Sequence, residues 1–302
     1  MDIDKYLNDV LESQTLTDDG EEMKALRKRR DEVEKLLRES FKDTNPVIRY
    51  AGSFSKKTMI KESYDLDIAC YFPRNDDDAG SALKDIYRNV RDALKKKYTV
   101  DPKNSALRLK GLDADVHGTD FHIDVVPGRF TDDDQKDVYL HRENDDKLRL
   151  KTNPQIHVDH VRDSGVRDAI RLVKYWRERN GIEIKTFVLE IIVIETLKDK
   201  KDRKLQTQLQ HIWTEFRDNS ASLSAKDPAN PEGNDLAAFL SEDIKTQLRQ
   251  VSEKTLKQVD DGQWENTFGK VTAKENNTRT SALAAAISSR ATGQPHKPYA
   301  EF

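Results

Sequence analysis

Asp65-Leu66-Asp67-Ile68-Ala69-Cys70-Tyr71-Phe72 is the stretch that decides how this chain is read. Side chains of a strand alternate faces, so Asp65, Asp67, Ala69 and Tyr71 share one side and Leu66, Ile68, Cys70 and Phe72 the other. The second set is a continuous apolar face that must pack against a core. The first projects two carboxylates together from a rigid element, which is unfavourable unless a cation sits between them. Other closely spaced acids, such as Asp2 and Asp4 or Asp113 and Asp115, lack this setting, and charge density alone accounts for them.

Phe121-His122-Ile123-Asp124-Val125-Val126 repeats the pattern. Phe121, Ile123 and Val125 face inward, while Asp120, His122 and Asp124 face the other way. With the two strands as neighbours, Asp65, Asp67 and Asp124 converge. Such hard oxygen donors suit magnesium or manganese rather than zinc. Two ions about 4 Å apart would activate an attacking hydroxyl and stabilise a leaving pyrophosphate. Upstream, the strand Val47-Ile48-Arg49-Tyr50-Ala51 runs into Gly52-Ser53. Gly52 permits close backbone approach, and Ser53 offers a hydroxyl and an N–H to phosphate oxygens at a helix start.

The rest of the chain falls into place around these strands. Ile3, Tyr6, Leu7, Val10 and Leu11 recur at helical spacing. A second helix, preceded by Thr17 and two aspartates as cap, carries Leu26, Val33, Leu36, Leu37 and Phe41 and ends near Lys42. Residues 79–97 predict a helix with Leu83, Ile86, Val90 and Leu94 on one stripe, and residues 105–112 another strand. From Asp163 the pattern turns helical: Asp163 or Ser164 caps a helix holding Val166, Ile170, Val173 and Trp176, closed by Gly181. Residues 185–197 are apolar nearly all round, which fits a buried helix or a buried strand. Helical patterns follow at 203–218 and 236–258, separated by a loop at 219–235. The last dozen residues have no period.

The bulk figures exclude several classes. Hydrophobic and charged residues each make up 35% of the 302, and no run approaches the roughly 20 apolar residues of a membrane span. Cys70 is the sole cysteine, which rules out an intramolecular disulfide and a multi-cysteine zinc site. The opening MDIDKYLNDV has no basic flank followed by an apolar core, so a cytoplasmic address is expected. A net charge of −3, from 52 basic and 55 acidic residues, lacks the basic excess of a duplex-binding protein.

Gly52-Ser53-x4-Thr58-x4-Ser63-x-Asp65-x-Asp67, followed by Asp124, resembles the nucleotidyltransferase superfamily with a DNA-polymerase-β-like fold. IRLVKYW at 170–176, KTFVLE at 185–190 and DPANPEGND at 227–235 look like the oligoadenylate synthases. They look still more like the CD-NTases, bacterial relatives of cyclic GMP-AMP synthase that make cyclic oligonucleotide signals in anti-phage defence. The resemblance implies an α+β fold: a polymerase-β-like lobe of mixed sheet and helices, and a carboxy-terminal helical lobe. The expected units are bracing helices at 1–44, a nucleotidyltransferase core at 45–150, a helical lobe at 151–290 and a flexible tail at 291–302.

By the same resemblance, Gly52 and Ser53 would hold a donor triphosphate. Asp65, Asp67 and Asp124 would be the catalytic residues, holding two magnesium or manganese ions. Lys174 would reach the donor phosphates, with Arg167 and Arg171 on the same helical face. Thr186 and Phe187, standing where the family has Ser-Tyr, would meet phosphate and base. The implied partners are nucleoside triphosphates, a downstream effector that senses the cyclic product, and an accessory protein acting on the tail. No membrane and no DNA activation are implied, since the zinc insert of the animal DNA sensor is absent. The competing readings are a linear oligoadenylate-type polymerase, an RNA-tailing enzyme and a catalytically silent nucleotide- or RNA-binding module.

Overall fold

In the computed structural model, residues 1–110, 123–143, 148–234 and 236–271 are described. Helices α1 (Ile3–Ser13) and α2 (Glu21–Ser40) come first, then β1 (Val47–Tyr50), the short helix α3 (Gly52–Lys56) and β2 (Leu66–Phe72). Helix α4 (Leu83–Leu94) leads to β3 (Thr99–Pro102) and β4 (Leu107–Lys110). Strands β5 (Ile123–Phe130), β6 (Val138–His141) and β7 (Arg149–Thr152) follow. The remaining helices are α5 (Pro154–Arg162), α6 (Arg167–Asn180), α7 (Thr186–Thr196), α8 (Leu205–Asp218), α9 (Glu242–Asp260) and α10 (Trp264–Phe268).

The sheet runs β1-β2-β5-β4-β3, with β6 paired to the far end of β5 and β7 paired to β6. β2 and β5 are parallel; every other pair is antiparallel. A parallel pair needs a crossover, and the segment holding α4 supplies it. The alternation of β2 is realised on its two faces. Leu66, Ile68, Cys70 and Phe72 join Ile123, Val125, Leu107 and Leu109 in a core covered by Leu26, Val33 and Leu37 of α2 and Ile86, Val90 and Leu94 of α4. Ala69 and Tyr71 face a smaller cluster with Phe130, Val138, Leu140 and Leu150. Each large apolar side chain removed from water in this way contributes about 1.5–3 kcal/mol.

The helical half has its own core, built around Trp176, Trp213, Phe216 and Trp264. Phe187 through Ile194 of α7 are all buried, so the apolar run at 185–197 is the buried helix and not the strand. Tyr6, Leu7, Val10 and Leu11 of α1 belong to this core, whereas Met23, Leu26, Val33 and Leu37 of α2 belong to the sheet core. The bracing segment expected at 1–44 is thus divided between two cores.

Three helix starts differ from expectation. The cap of α2 is Gly20, without a side-chain bond; Thr17 forms the preceding turn, its carbonyl accepting from Gly20 N at 3.0 Å. Helix begins again at Pro154, before Asp163, because Asn153 caps α5 by accepting from Gln155 N and Ile156 N while Pro154 fits the first turn. Asp163 closes α5, and Ser164 accepts from Val166 N at 3.2 Å without capping α6. Gly181 ends α6 at φ +61°, as expected. The tail at 291–302, Asp120, Phe121 and His122 lie outside the described residues.

Candidate active site

Register across three strands builds the acidic site. Asp67 on β2 stands beside Asp124 on β5, and Asp124 stands beside Arg108 on β4. Asp67 is 5% exposed and Asp124 fully buried. Arg108 grips Asp124 with two parallel bonds, Nε to Oδ1 at 3.0 Å and Nη2 to Oδ2 at 2.9 Å. Asp65 lies one residue before β2, half-buried, and its charge acts on both Asp67 and Arg108. Burial, then the charges of Asp124 and Asp65, push the Asp67 carboxyl up to about 8.

Gly52 lies directly under that carboxyl. Ala51 N donates to Asp67 O at 2.9 Å, which extends the β1–β2 pairing to the mouth of α3. Gly52 then turns at φ +57°, and a Cβ there would fall 1.6 Å from Asp67 Oδ2. Both the backbone sign and the space demand glycine. Ser53 is buried; its carbonyl accepts from Thr58 N at 3.0 Å, closing the turn that Lys57 ends at φ +58°.

Beneath the turn lies a second charged cluster. Glu190, the one charged residue among the buried positions of α7, accepts from Lys56 Nζ at 2.9 Å and from Thr58 Oγ1 at 2.9 Å. Lys174 Nζ donates to Thr58 O at 2.8 Å and stands 3.9 Å from Glu190. Burial draws the Lys174 ammonium down to about 8 against the opposing pull of Glu190. The Lys56 ammonium lies 4.9 Å from the Phe187 ring centre, and that ring meets His157 edge-on at 4.6 Å.

No family model matches the chain. A CBASS oligonucleotide cyclase, CdnC of Escherichia coli (strain KTE188), is 21% identical over 250 residues, covering 72% of this chain and 79% of the relative. Among solved structures, CdnC of E. coli MS115-1 with ATP superposes with a TM-score of 0.67 at 17% identity, over 89% of this chain and 98% of that one. The CD-NTase CdnG of Bradyrhizobium diazoefficiens, in complex with GTP, gives 0.69 at 12% identity, over 95% and 98%. The chain therefore has the fold of the CD-NTases.

Within this CD-NTase fold the aspartates and the Gly-Ser turn expected from sequence do come together. The helical-lobe residues are placed otherwise than a ligand-facing set. Lys174 is 3% exposed and is spent on Thr58 O and Glu190. Arg171 leaves the expected basic stripe to bind the end of α1, donating to Thr15 Oγ1 at 2.7 Å and Leu11 O at 3.2 Å. The Thr186 hydroxyl accepts from Arg177, and Phe187, 2% exposed, packs as core. The 227–234 segment acts as a clamp: Asn230 and Asn234 donate to Lys151 O at 3.2 and 3.4 Å, and buried Asp227 stands 3.3 Å from His157. Asp235 lies outside the described residues.

Among the described residues no group of three or more His, Cys, Asp and Glu side chains is already arranged as a metal cage. The donor chemistry nevertheless fits a hard cation: three neighbouring carboxyl groups, one of them kept protonated near neutrality by burial and then by the charges of the other two. Arg108 and Glu190 escaped the sequence reading. Arg108 sits on the polar face of the Leu107/Leu109 alternation, but only the register joins it to Asp124. Glu190 was signalled by standing in the middle of the apolar run from Phe187 to Ile194.

Proposed function

We propose that this chain is a metal-dependent nucleotidyltransferase that joins nucleoside triphosphates and closes them into a cyclic di- or trinucleotide second messenger. The observation that carries the reading is the parallel register that sets Asp67 beside Asp124, with Asp65 next to them and Gly52 beneath. The likeness to cyclases that bind ATP and GTP supports it. The CBASS designation of the curated relatives supports a role in anti-phage signalling, with a downstream effector reading the product.

Asp65, Asp67 and Asp124 would hold magnesium or manganese, which would supply charge neutralisation at the triphosphate and an acidified acceptor hydroxyl. Arg108 keeps Asp124 oriented, its bidentate grip fixing the carboxylate plane. Gly52 leaves room for phosphate oxygens and the Asp67 carboxyl to meet, and Ser53 offers its hydroxyl and N–H beside them. Catalysis by such a site rests on positioning and on charge, with little covalent work for the protein. No helix among the described residues is long and apolar enough to cross a membrane.

The test is product analysis. Purified protein is incubated with labelled ATP, GTP, CTP and UTP and Mg²⁺ or Mn²⁺, treated with phosphatase, and its products separated. The expected result is a compact phosphatase-resistant product, absent from Asp65→Asn/Asp67→Asn protein. A ladder would replace this reading with a linear polymerase, and extension of added RNA alone would replace it with a tailing enzyme. Intact folding without any transfer would leave a partner-gated enzyme or the binding module.

A further inference from the structure

A carboxylate buried inside an apolar helix costs several kcal/mol unless its partners are well placed. Glu190 is fully buried midway along α7, and its hydrogen-bond partners come from the sheet lobe: Lys56 ends α3 and Thr58 follows the left-handed Lys57. Thr58 is itself fully buried and is held three ways. Its hydroxyl donates to Glu190, its carbonyl accepts from Lys174 of α6, and its N–H donates to Ser53 O. A continuous path of hydrogen bonds therefore runs from two helices of the helical lobe through Thr58 to Ser53, next to the glycine under Asp67.

We infer that Glu190 is a positioning residue: it fixes the Gly52–Thr58 turn against the helical lobe, so that nucleoside triphosphate affinity at the turn depends on a side chain remote from the reacting atoms. This rests on the proposed nucleotide chemistry of that turn. The segment is short, five of its seven residues forming the isolated helix α3, and has little rigidity of its own. Glu190 and Lys174 restrict Thr58 from both its side chain and its main chain. Loss of the carboxylate also leaves the Lys56 and Lys174 ammoniums facing each other in a buried space, which would drive the turn away from its seat.

The experiment measures binding of mant-ATP and mant-GTP by fluorescence in Mg²⁺, alongside thermal melting and saturation kinetics, for wild type, Glu190→Gln, Lys56→Met, the double variant and Thr58→Val. Glu190→Gln is expected to weaken nucleotide binding about tenfold, the effect of losing one charge-assisted hydrogen bond. KM should rise with it while kcat at saturation falls less than about threefold. The double variant should bind no more weakly than Glu190→Gln, because both changes act through the same contact. Thr58→Val, nearly isosteric, should weaken binding about threefold and serves as the reading if Glu190→Gln does not fold.

A lower melting temperature with unchanged nucleotide affinity in Glu190→Gln, or in Thr58→Val if that is the variant that folds, would overturn the inference while leaving the proposed function intact. A wild-type protein that binds neither nucleotide and forms no product would instead remove the proposed function, and the inference with it.

Discussion

Among the described residues, two charged clusters of opposite balance lie one on either side of the same short turn. On the sheet, Asp65, Asp67 and Asp124 gather around the single guanidinium of Arg108. Under the turn, Lys56 and Lys174 gather around the single carboxylate of Glu190. The second cluster is closed by short hydrogen bonds, and its groups are spent on one another. In the first, Arg108 satisfies Asp124, but Asp67 is left with a carboxyl that burial, and then its acidic neighbours, force toward protonation. Similar ingredients thus give a structural joint in one place and, under the proposed function, a seat for a cation in the other. The excess of carboxylates marks the chemistry; burial alone does not.

The sharpest way to break this contrast is to neutralise the two central aspartates separately. Both Asp67→Asn and Asp124→Asn are expected to lower product formation by about a thousandfold or more, as loss of a metal-holding carboxylate does. Their metal-free stabilities should diverge. Asp124→Asn strands a buried guanidinium and should cost about 3–5 kcal/mol by urea unfolding. Asp67→Asn replaces a carboxyl that already carries a proton near pH 7 and should stay within about 1 kcal/mol of wild type. Equal losses of stability would mean that the two sites are not different in kind.

Gly52→Ala presses the same point from below. The added methyl would meet Asp67 Oδ2 and force a left-handed backbone on alanine, for about 2–3 kcal/mol of destabilisation by chemical unfolding. Relief of that loss in Gly52→Ala/Asp67→Gly protein would show that the carboxyl is the obstacle.

pH isolates Asp67 in a narrow window. Its folded carboxyl titrates near 8, against 3.8 unfolded, so the native state holds the extra proton and stability must fall as pH rises through that range. His157, His160 and His211 are displaced downward by burial and act in the opposite sense below their unfolded value of 6.5. Lys174, also displaced downward, acts in that opposite sense above about 8. Between pH 6.5 and 8 the Asp67 slope should therefore stand out, at about 1–2 kcal/mol in urea midpoints. Asp67→Asn should abolish it, and so should saturating Mg²⁺, which favours the ionised form.

The legible part of this architecture was whatever a strand or helix writes as a period. β2 and the start of β5 showed their apolar and acidic faces, and α4, α6, α8 and α9 showed their stripes. Strands β3, β6 and β7 were not read from the sequence and are recognised by their pairing. The α5 start was written in Asn153-Pro154, a cap and first-turn pair outweighed by the stronger stripe from Val166 onward. In the site, Asp65, Asp67, Asp124 and Gly52 could be named because alternation and turn chemistry are local. Arg108 and Glu190 could not be paired, because their partners lie 16 residues away in one case, and 132 and 134 in the other. Only tertiary register supplies that information.

Phe187 gives the smallest and most discriminating effect. Resemblance assigns its ring to a nucleobase, whereas the fold surrounds it with His157 and the Lys56 ammonium and leaves it 2% exposed. Phe187→Leu keeps most of the apolar volume but loses the ring face toward Lys56 and the edge contact with His157. The expected cost is about 1 kcal/mol in urea unfolding, with mant-ATP and mant-GTP affinity held within about twofold. The opposite result, tenfold weaker binding with stability unchanged, would mean that the helical lobe swings far enough on nucleotide binding to present the ring. Such a swing would have to break the Lys56–Glu190 and Thr58–Glu190 bonds, which tie α7 to the segment around the end of α3. The closed joint would then be one state of a hinge, and its contrast with the acidic cluster would vanish.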